Sequence, residues 1–460
     1  MRLTGLVVFL LALFSPAVSA QDGFAIWVAD LKQEAGAAGI SDATVNEAFN
    51  HIELLPELIK LDHAQPEFIS PFLEYYYRRI DVQKIARGRE LMIQHAALLD
   101  KIEAQYGVPK SLLVAFWGME TNYGKNQGNI DTLSALATLA YDGRRAAFFR
   151  NQFLDALQMV DAGCANVGSL RGSWAGAFGN MQFMPSTFVT FAVDGDGDHQ
   201  IDVVNSVADA FTSAANYLSQ VGWNKDEPAM IEVHLPDDFE WQNAQMNLRK
   251  PVADWVKLGV DVVNSAVESN AHDLRALQDT KKAAVVKKGQ KHQRGSSGSK
   301  KNIATSKSAR STLIVTAPSM AHARTTLANM KGQAAILLPQ GQLGPAFMVF
   351  DNFDAIMDWN RSVNYALSVA QFAKRINQES RIVGGEHAEA GALSFQQMFE
   401  LQNMLNSLGF EAGEPDGFPG LQTQQAIRAY QLSQHLAADG YASPSLFNAI
   451  SNALPEQLTR

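Results

Sequence analysis

Val108-Pro-Lys-Ser-Leu-Leu-Val-Ala-Phe-Trp-Gly-Met-Glu-Thr-Asn-Tyr-Gly124 is apolar on nearly every face from Leu112 to Met119, which predicts a buried helix. Pro109 suits the first helical turn, where its missing N–H is not needed. Gly124 is the expected stop. One carboxylate, Glu120, ends the run. Among aromatic and aliphatic groups a carboxylate loses hydration, which disfavours its charged form. That is the condition for a general acid working near neutral pH. The same residues also allow a Glu that points into water or pairs with an Arg.

Outward from this stretch the pattern stays helical. Trp27, Val28, Leu31 and Ala35 fall at turn spacing, as do Leu91, Leu98 and Ile102. Consecutive Tyr75, Tyr76 and Tyr77 point in different directions on a helix, so at most one or two can share a surface. They read either as packing with hydroxyl tips outward or as a ring platform for sugars. After Glu120 come a small-and-leucine helix, Leu133 to Leu139, then Arg144 and Arg145, and an amphipathic helix over 151–160. Between Gly172 and Ser186, closely spaced glycines and alanines let backbone approach backbone or a ligand, and Ser173 and Gln182 are the polar groups there.

The loop that follows places Asp194, Asp196, Asp198, Asp202 and Asn205 at positions 1, 3, 5, 9 and 12, with Gln200 at 7, the oxygen spacing of an EF-hand calcium loop. It departs from the pattern twice. His199 stands where glycine makes the sharp turn, and Asn205 offers one oxygen instead of a bidentate pair. An Asp/Gly-rich turn without metal is the alternative.

At 460 residues, 47% apolar and 18% charged, the chain is globular and holds two or three domains. Residues 2–20 combine Arg2, an apolar run from Leu6 to Phe14 and small residues at Ser19 and Ala20, the pattern of a cleaved export signal. The run is too short for a comfortable membrane span, and no cysteine is placed to carry a lipid. Cys164 is the only cysteine, so an intramolecular disulfide is excluded, and a small buried hydrophobe is expected there.

Short strands are expected within 228–260, at Ala334–Leu338 and at Ala346–Phe350. Twelve Lys or Arg lie between Lys281 and Lys331 with no acid among them. Taking twelve positive charges from the net −9 leaves −21 on the rest. This tract reads as a basic, low-complexity linker, with contact to anionic envelope polymers as the functional alternative. After a polar linker, Met398, Leu401, Leu405 and Leu408 share a helix face. Turns at Asp416-Gly417 and Asp439-Gly440 then suggest a small three-helix module.

Together these motifs resemble the lytic murein transglycosylases of the membrane-bound transglycosylase B type. The resemblance rests on Tyr106-Gly-Val-Pro109, Gly118-Met-Glu-Thr121, Leu136-Ala-Thr-Leu139, Ala175-Gly-Ala177, Gln182-Phe-Met-Pro-Ser186, the Asp194 loop, Asn216-Tyr217, Asn360-Arg-Ser362 and Tyr365. The final module is similar to three-helix peptidoglycan-binding domains. The resemblance implies a mainly α protein: a lysozyme-like catalytic domain with a small α/β accessory part, plus the wall-binding module. The expected boundaries are a signal peptide over 1–20, catalytic residues 21–262 and 332–380 interrupted by the insertion 263–331, a linker over 381–392 and the module over 393–456.

By the same resemblance the chain cleaves the β-1,4 bond between N-acetylmuramic acid and N-acetylglucosamine, leaving 1,6-anhydro ends. Glu120 acts as acid and then as base. Ordinary glycosidases need a second carboxylate, but here the C6 hydroxyl of the substrate is the nucleophile, and no second acid stands in a comparable motif. Tyr75, Ser173, Gln182, Asn216, Tyr217, Trp359, Asn360 and Tyr365 would line the cleft, and Arg144 and Arg145 would meet the acidic stem peptide. Trp359 replaces a tyrosine that relatives can carry, which puts hydrogen bonding at that wall in question. The resemblance further implies a monomeric periplasmic enzyme on glycan strands, with structural calcium, no cofactor needed for the chemistry, no nucleic acid and no membrane span. A hydrolytic muramidase and a wall-binding scaffold without catalysis are the rivals.

Overall fold

A computed structural model describes residues 20–64, 70–263 and 327–453. The expected signal peptide falls outside the described residues apart from Ala20, and so does the basic insertion between 264 and 326. The chain folds as two compact units that are each discontinuous in sequence. One takes residues up to Gln65 and Lys125–Ser213; the other takes Pro66–Gly124 and everything from Ala214.

In the first unit the helix Thr132–Asp142 is the spine, with Leu133, Leu136 and Leu139 in the core. Asp131 caps it by accepting from the Ser134 N–H, and Gly143 (φ 91°) ends it. Ser134 and Thr138, one turn apart on the same face, use their hydroxyls to take the backbone N–H groups of Glu53 and Leu55 at 3.1 and 2.9 Å. The helix Ala146–Asp161 packs beside it through Phe149, Phe153 and Leu157. A two-stranded antiparallel ribbon, β1 (Ile130–Asp131) and β2 (Arg171–Gly172), closes this unit.

Cys164 corrects the expectation of burial. The helix stops at Asp161, and Cys164 stands exposed in the turn beyond it, its N–H bonded to the Met159 carbonyl.

In the second unit the helix Lys110–Thr121 is buried from Ser111 to Met119, as its composition predicts. Pro109 stands one place before it, as the N-cap. The helices Val82–Gln94 and Val363–Ile376 flank it. At Gly118 an added Cβ would lie 2.7 Å from the Phe372 ring, so only glycine lets the packing be this close.

Beside this bundle lies a five-stranded sheet of β3 (Met230–His234), β4 (Lys250–Pro251), β5 (Asp261–Val262), β6 (Gln333–Leu337) and β7 (Ala346–Val349). Its order is β4-β6-β7-β3-β5, with all neighbours antiparallel. Its core is built on Trp255, which is fully buried and donates from Nε1 to the Ala334 carbonyl at 2.8 Å.

The final module has three helices among the described residues, Phe395–Ser407, Leu421–Ser433 and Pro444–Ala453, around Leu401, Leu405, Ile427 and Ile450. Ser394 and Gln397 form a capping box on the first. The segment read as a polar linker is fastened: Ile382 is buried, and the Glu232 carboxylate accepts the backbone N–H groups of Val383 and Gly384.

Candidate active site

Glu120 is half-buried at the end of its helix. The helix does not run on to Gly124. It stops at Thr121, and Asn122 (φ 50°) and Tyr123 (φ 62°) both turn left-handed before Gly124 (φ 78°) does the same. A bulky residue in that conformation costs on the order of 1–3 kcal/mol and persists only where the surroundings over-determine it. Here the Tyr123 hydroxyl donates to the Lys84 carbonyl at 2.6 Å, and its ring meets Trp117 edge-on at 5.7 Å. Gly88 and Gly118 leave it room, since a Cβ at either would lie within 2.9 Å of a Tyr123 atom. The strained turn fixes the end of the helix that carries the carboxylate.

Two donors meet the same oxygen of Glu120. Trp359 donates from Nε1 to Oε1 at 3.1 Å, and the Tyr365 hydroxyl donates to Oε1 as well. Burial, with the Glu120 charge next in size, raises the Tyr365 phenol well above its ordinary value, which keeps it a donor. Trp359 is held by the Phe116 ring at 4.4 Å and by the edge of Tyr217 at 5.2 Å. Burial pushes the Tyr217 phenol up to about 12, with the Asp358 carboxylate adding to the rise. Lys84, its ammonium held low by burial, also interacts electrostatically with Glu120.

Two hydrogen-bond donors and the Lys84 ammonium thus surround the Glu120 carboxylate. This corrects the expectation of purely apolar surroundings: the helix is apolar, but its end is not. It also answers the question at Trp359, because the indole supplies the hydrogen bond that a phenol could.

Tyr75 is fully buried beneath Arg79, whose guanidinium lies 4.5 Å from the ring centroid, and its phenol acts electrostatically on Tyr365. It therefore supports the site from below; the expectation that it offers a face to sugar is corrected by its burial. Tyr76 is buried too, while Tyr77 is exposed. Asn216 precedes Tyr217 on the helix Val207–Gln220 and accepts from Gln220 at 3.0 Å. Asn360 accepts from the Ser362 N–H at 3.2 Å, where the helix of Tyr365 begins.

The other predicted residues belong to the first unit. Ser173 and Gln182 sit on a tight hairpin: Ser173 N–H bonds the Ala177 carbonyl at 2.7 Å, and the Ser173 hydroxyl accepts from the Ala177 N–H. Gln182 is left-handed (φ 51°) and donates to the carbonyls of Gln127 and Gly179. Arg144 and Arg145 both meet the buried carboxylate of Asp62. One carboxylate answers two guanidinium groups, so a single positive charge remains for a partner.

The Asp194 loop lies against this hairpin. Asn180 donates to the carbonyls of Val203 and Val204, and a Cβ on Gly179 would lie 2.8 Å from the Val203 carbonyl oxygen. His199 takes the left-handed conformation (φ 69°) that glycine would, so the first departure does not break the loop. The second is met from outside it. Carboxylate oxygens of Asp194, Asp196 and Asp209 lie within 4.8 Å of one another, and Asp209 is buried. Asp209 follows the loop by one helical turn and escapes a reading confined to twelve positions. Its oxygens also take the N–H groups of Gly195 and Asp202 at 2.8 and 2.7 Å. Three hard oxygen donors so close repel one another until a cation neutralises them, and this donor set fits calcium. Asp198 and Asp202 stand outside the three-carboxylate group, and Asp202 accepts from the Asn205 amide at 2.8 Å.

The sequence matches the family described as "Transglycosylase SLT domain" over residues 23–294 and 272–374, most of the chain. The chain belongs to this transglycosylase family. Residues 396–450 match a second family, "Putative peptidoglycan binding domain". SltB3 from Pseudomonas aeruginosa, solved in complex with NAG-anhNAM-pentapeptide, is 35% identical with a TM-score of 0.77, over 93% of this chain and 99% of that one. Membrane-bound lytic murein transglycosylase B of Escherichia coli (strain K12) is 34% identical over 175 residues, 37% of this chain and 48% of that protein. The match thus spans about half the length of this curated relative. The Escherichia coli transglycosylase Slt35, solved with calcium, shares the fold at 22% identity and a TM-score of 0.56, over 76% of this chain and 92% of that one. No helix among the described residues is long and apolar enough to cross a membrane.

Proposed function

We propose that this transglycosylase cleaves the β-1,4 bond between N-acetylmuramic acid and N-acetylglucosamine in peptidoglycan and leaves a 1,6-anhydro end. The observation that carries the reading is the anchoring of Glu120 through Oε1 by Trp359 and Tyr365. With Oε1 so engaged, a proton on this carboxyl belongs on Oε2. Glu120 delivers that proton to the glycosidic oxygen as the C1–O bond breaks. The carboxylate then takes the proton of the C6 hydroxyl as O6 bonds to C1. No water is consumed, and the acid is regenerated. Tyr217, Trp359, Asn360 and Tyr365 are the proposed sugar contacts of this unit; Ser173 and Gln182 are those of the other. The loop of Asp194, Asp196 and Asp209 would hold calcium as a brace for the hairpin of Ser173 and Gln182, and the chemistry does not pass through it. The peptidoglycan fragment bound to SltB3 supports work on glycan strands, in the periplasm.

A second reading has one observation in its favour. Asp358 is exposed one residue from Trp359 and acts on Tyr217. A hydrolytic muramidase would use such a second carboxylate to activate water or as nucleophile. Mass spectrometry of muropeptides released from purified peptidoglycan separates the two. Products one water lighter than reducing muropeptides are expected; reducing ends would assign the reaction to water and Asp358.

A further inference from the structure

Gln127 belongs to the first unit and bonds there to two segments at once. Its side chain donates from Nε2 to the Val204 carbonyl, in the Asp194 loop, at 3.1 Å. Its own carbonyl accepts from Nε2 of Gln182 at 3.0 Å. The chain beside it has no slack. Gly128 is left-handed (φ 90°), and a Cβ there would run into the Gly172 carbonyl of the hairpin. Gln127 Oε1 is buried and has no hydrogen-bond partner. An acceptor buried unpaired is costly, so what this side chain contributes here is its donor.

These two bonds complete a run of hydrogen bonds that begins at the acids of the loop. The buried Asp209 carboxylate accepts from the Asp202 N–H at 2.7 Å, and Asp202 Oδ1 accepts from the Val204 N–H at 3.0 Å. Val204 is then bonded to Gln127, and Gln127 to Gln182. At the far end Gln182 is fully engaged as a donor. Its two amide hydrogens go to the carbonyls of Gln127 and Gly179, which leaves the acceptor Oε1 for a sugar hydroxyl or amide N–H. Its left-handed backbone (φ 51°) persists only where the surroundings impose it, and Gln127 is part of those surroundings.

We propose that Gln127 is a positioning residue for substrate binding: it aims the Gln182 carboxamide and fixes that aim to the acid-rich loop. The proposal rests on the wall-cleaving reading for the identity of the sugar that Gln182 meets. Gln127 itself touches no substrate. Without its Nε2 donor the carbonyl of Gln127 remains, but the segment that presents it is no longer tied to Val204. The Gln182 amide then keeps one firm carbonyl of two, and its Oε1 swings away from the sugar's donor.

The test is calorimetric titration with peptide-free glycan strands of the full chain carrying Glu120→Gln, so that the strands survive the measurement. Adding Gln127→Met keeps the length of the side chain and removes the donor. It is expected to weaken binding about fivefold, the loss of one neutral hydrogen bond. Gln127→Glu has the same shape and no donor when ionised, and it decides the case if the Met variant does not fold. Gln182→Ala is expected to weaken binding at least as much, and Gln127→Met on top of it to add nothing, because Gln127 acts through Gln182. A merely structural role would give losses that add. With Glu120 intact, Gln127→Met should raise KM about fivefold and leave kcat unchanged. Additive losses, an unaltered affinity, a kcat that falls at constant KM, or no binding by the Glu120→Gln chain each overturns the proposal. Products of the chain with Glu120 intact are followed by mass spectrometry. Anhydro ends with additive losses remove Gln127 from the account and leave the wall-cleaving reading standing. Coupled losses of binding with reducing ends, or with no cleavage, keep Gln127 and remove that reading.

Discussion

Trp359 donates its indole N–H to Oε1 of Glu120 at 3.1 Å across 239 residues of chain. The ring that carries the donor is clamped between Phe116 and Tyr217, so the direction of the hydrogen bond is set by packing.

Trp359→Phe keeps a ring on Phe116 and removes the donor. A hydrogen bond to a charged group is worth about 1.5–3 kcal/mol, so kcat should fall about ten- to a hundredfold with KM little changed. Steady-state kinetics on glycan strands measure both, and an unchanged kcat would show that the indole does not orient the acid.

Glu120→Gln keeps an oxygen for Trp359 and Tyr365 and removes the exchangeable proton. Its thermal unfolding should match the wild type, while cleavage drops by at least roughly 10²–10⁴-fold, the range of general acid–base catalysis. Anhydro products at the wild-type rate would remove Glu120 from the chemistry.

Calcium should raise the melting temperature, because an ion bound only by the native state stabilises it, by about 2.7 kcal/mol at a hundred times its Kd. Asp209→Asn should lose most of that shift, whereas Asn205→Ala should keep it. Calorimetry with calcium and with a chelator decides. Equal shifts in wild type and Asp209→Asn would place any bound ion elsewhere.

Alkali should destabilise the fold through its buried phenols. Burial holds Tyr217 and Tyr441 up at about 12, against 10.0 for a free phenol. The unfolded chain therefore releases these protons first. Their contribution is complete below pH 10 and is lost as pH rises toward 12. Melting temperatures across that window should fall less steeply for Tyr217→Phe than for the wild type.

The helix of Glu120 was legible because its apolar run has one solution, burial, and a Pro and a Gly bracket it. The three-helix module was legible for the same reason: heptad-like leucines and Asp-Gly turns are local signals. What sequence could not supply was anything set by distant packing. The left-handed Tyr123 is imposed by Gly88, Gly118 and Lys84, which no local propensity reveals. Asp209 looks like an ordinary residue in the first turn of a helix until the fold brings it to Asp194 and Asp196. Cys164 was misjudged because composition speaks for cysteine in general, and a turn after a helix decided the case.

Tyr365 follows Glu120 by 245 residues, and the unit that holds both is interrupted by the whole of Lys125–Ser213. Contacts so far apart in sequence form only after a long loop has closed, which makes them late events in folding. At roughly 5–20 residues per second, synthesis presents Glu120 roughly 12–50 s before Tyr365. Glu120 is made early, but neither donor is. A chain still in transit, or one cut before Trp359, carries the acid without its aim, so the capacity to cut arrives only once Tyr365 has been made.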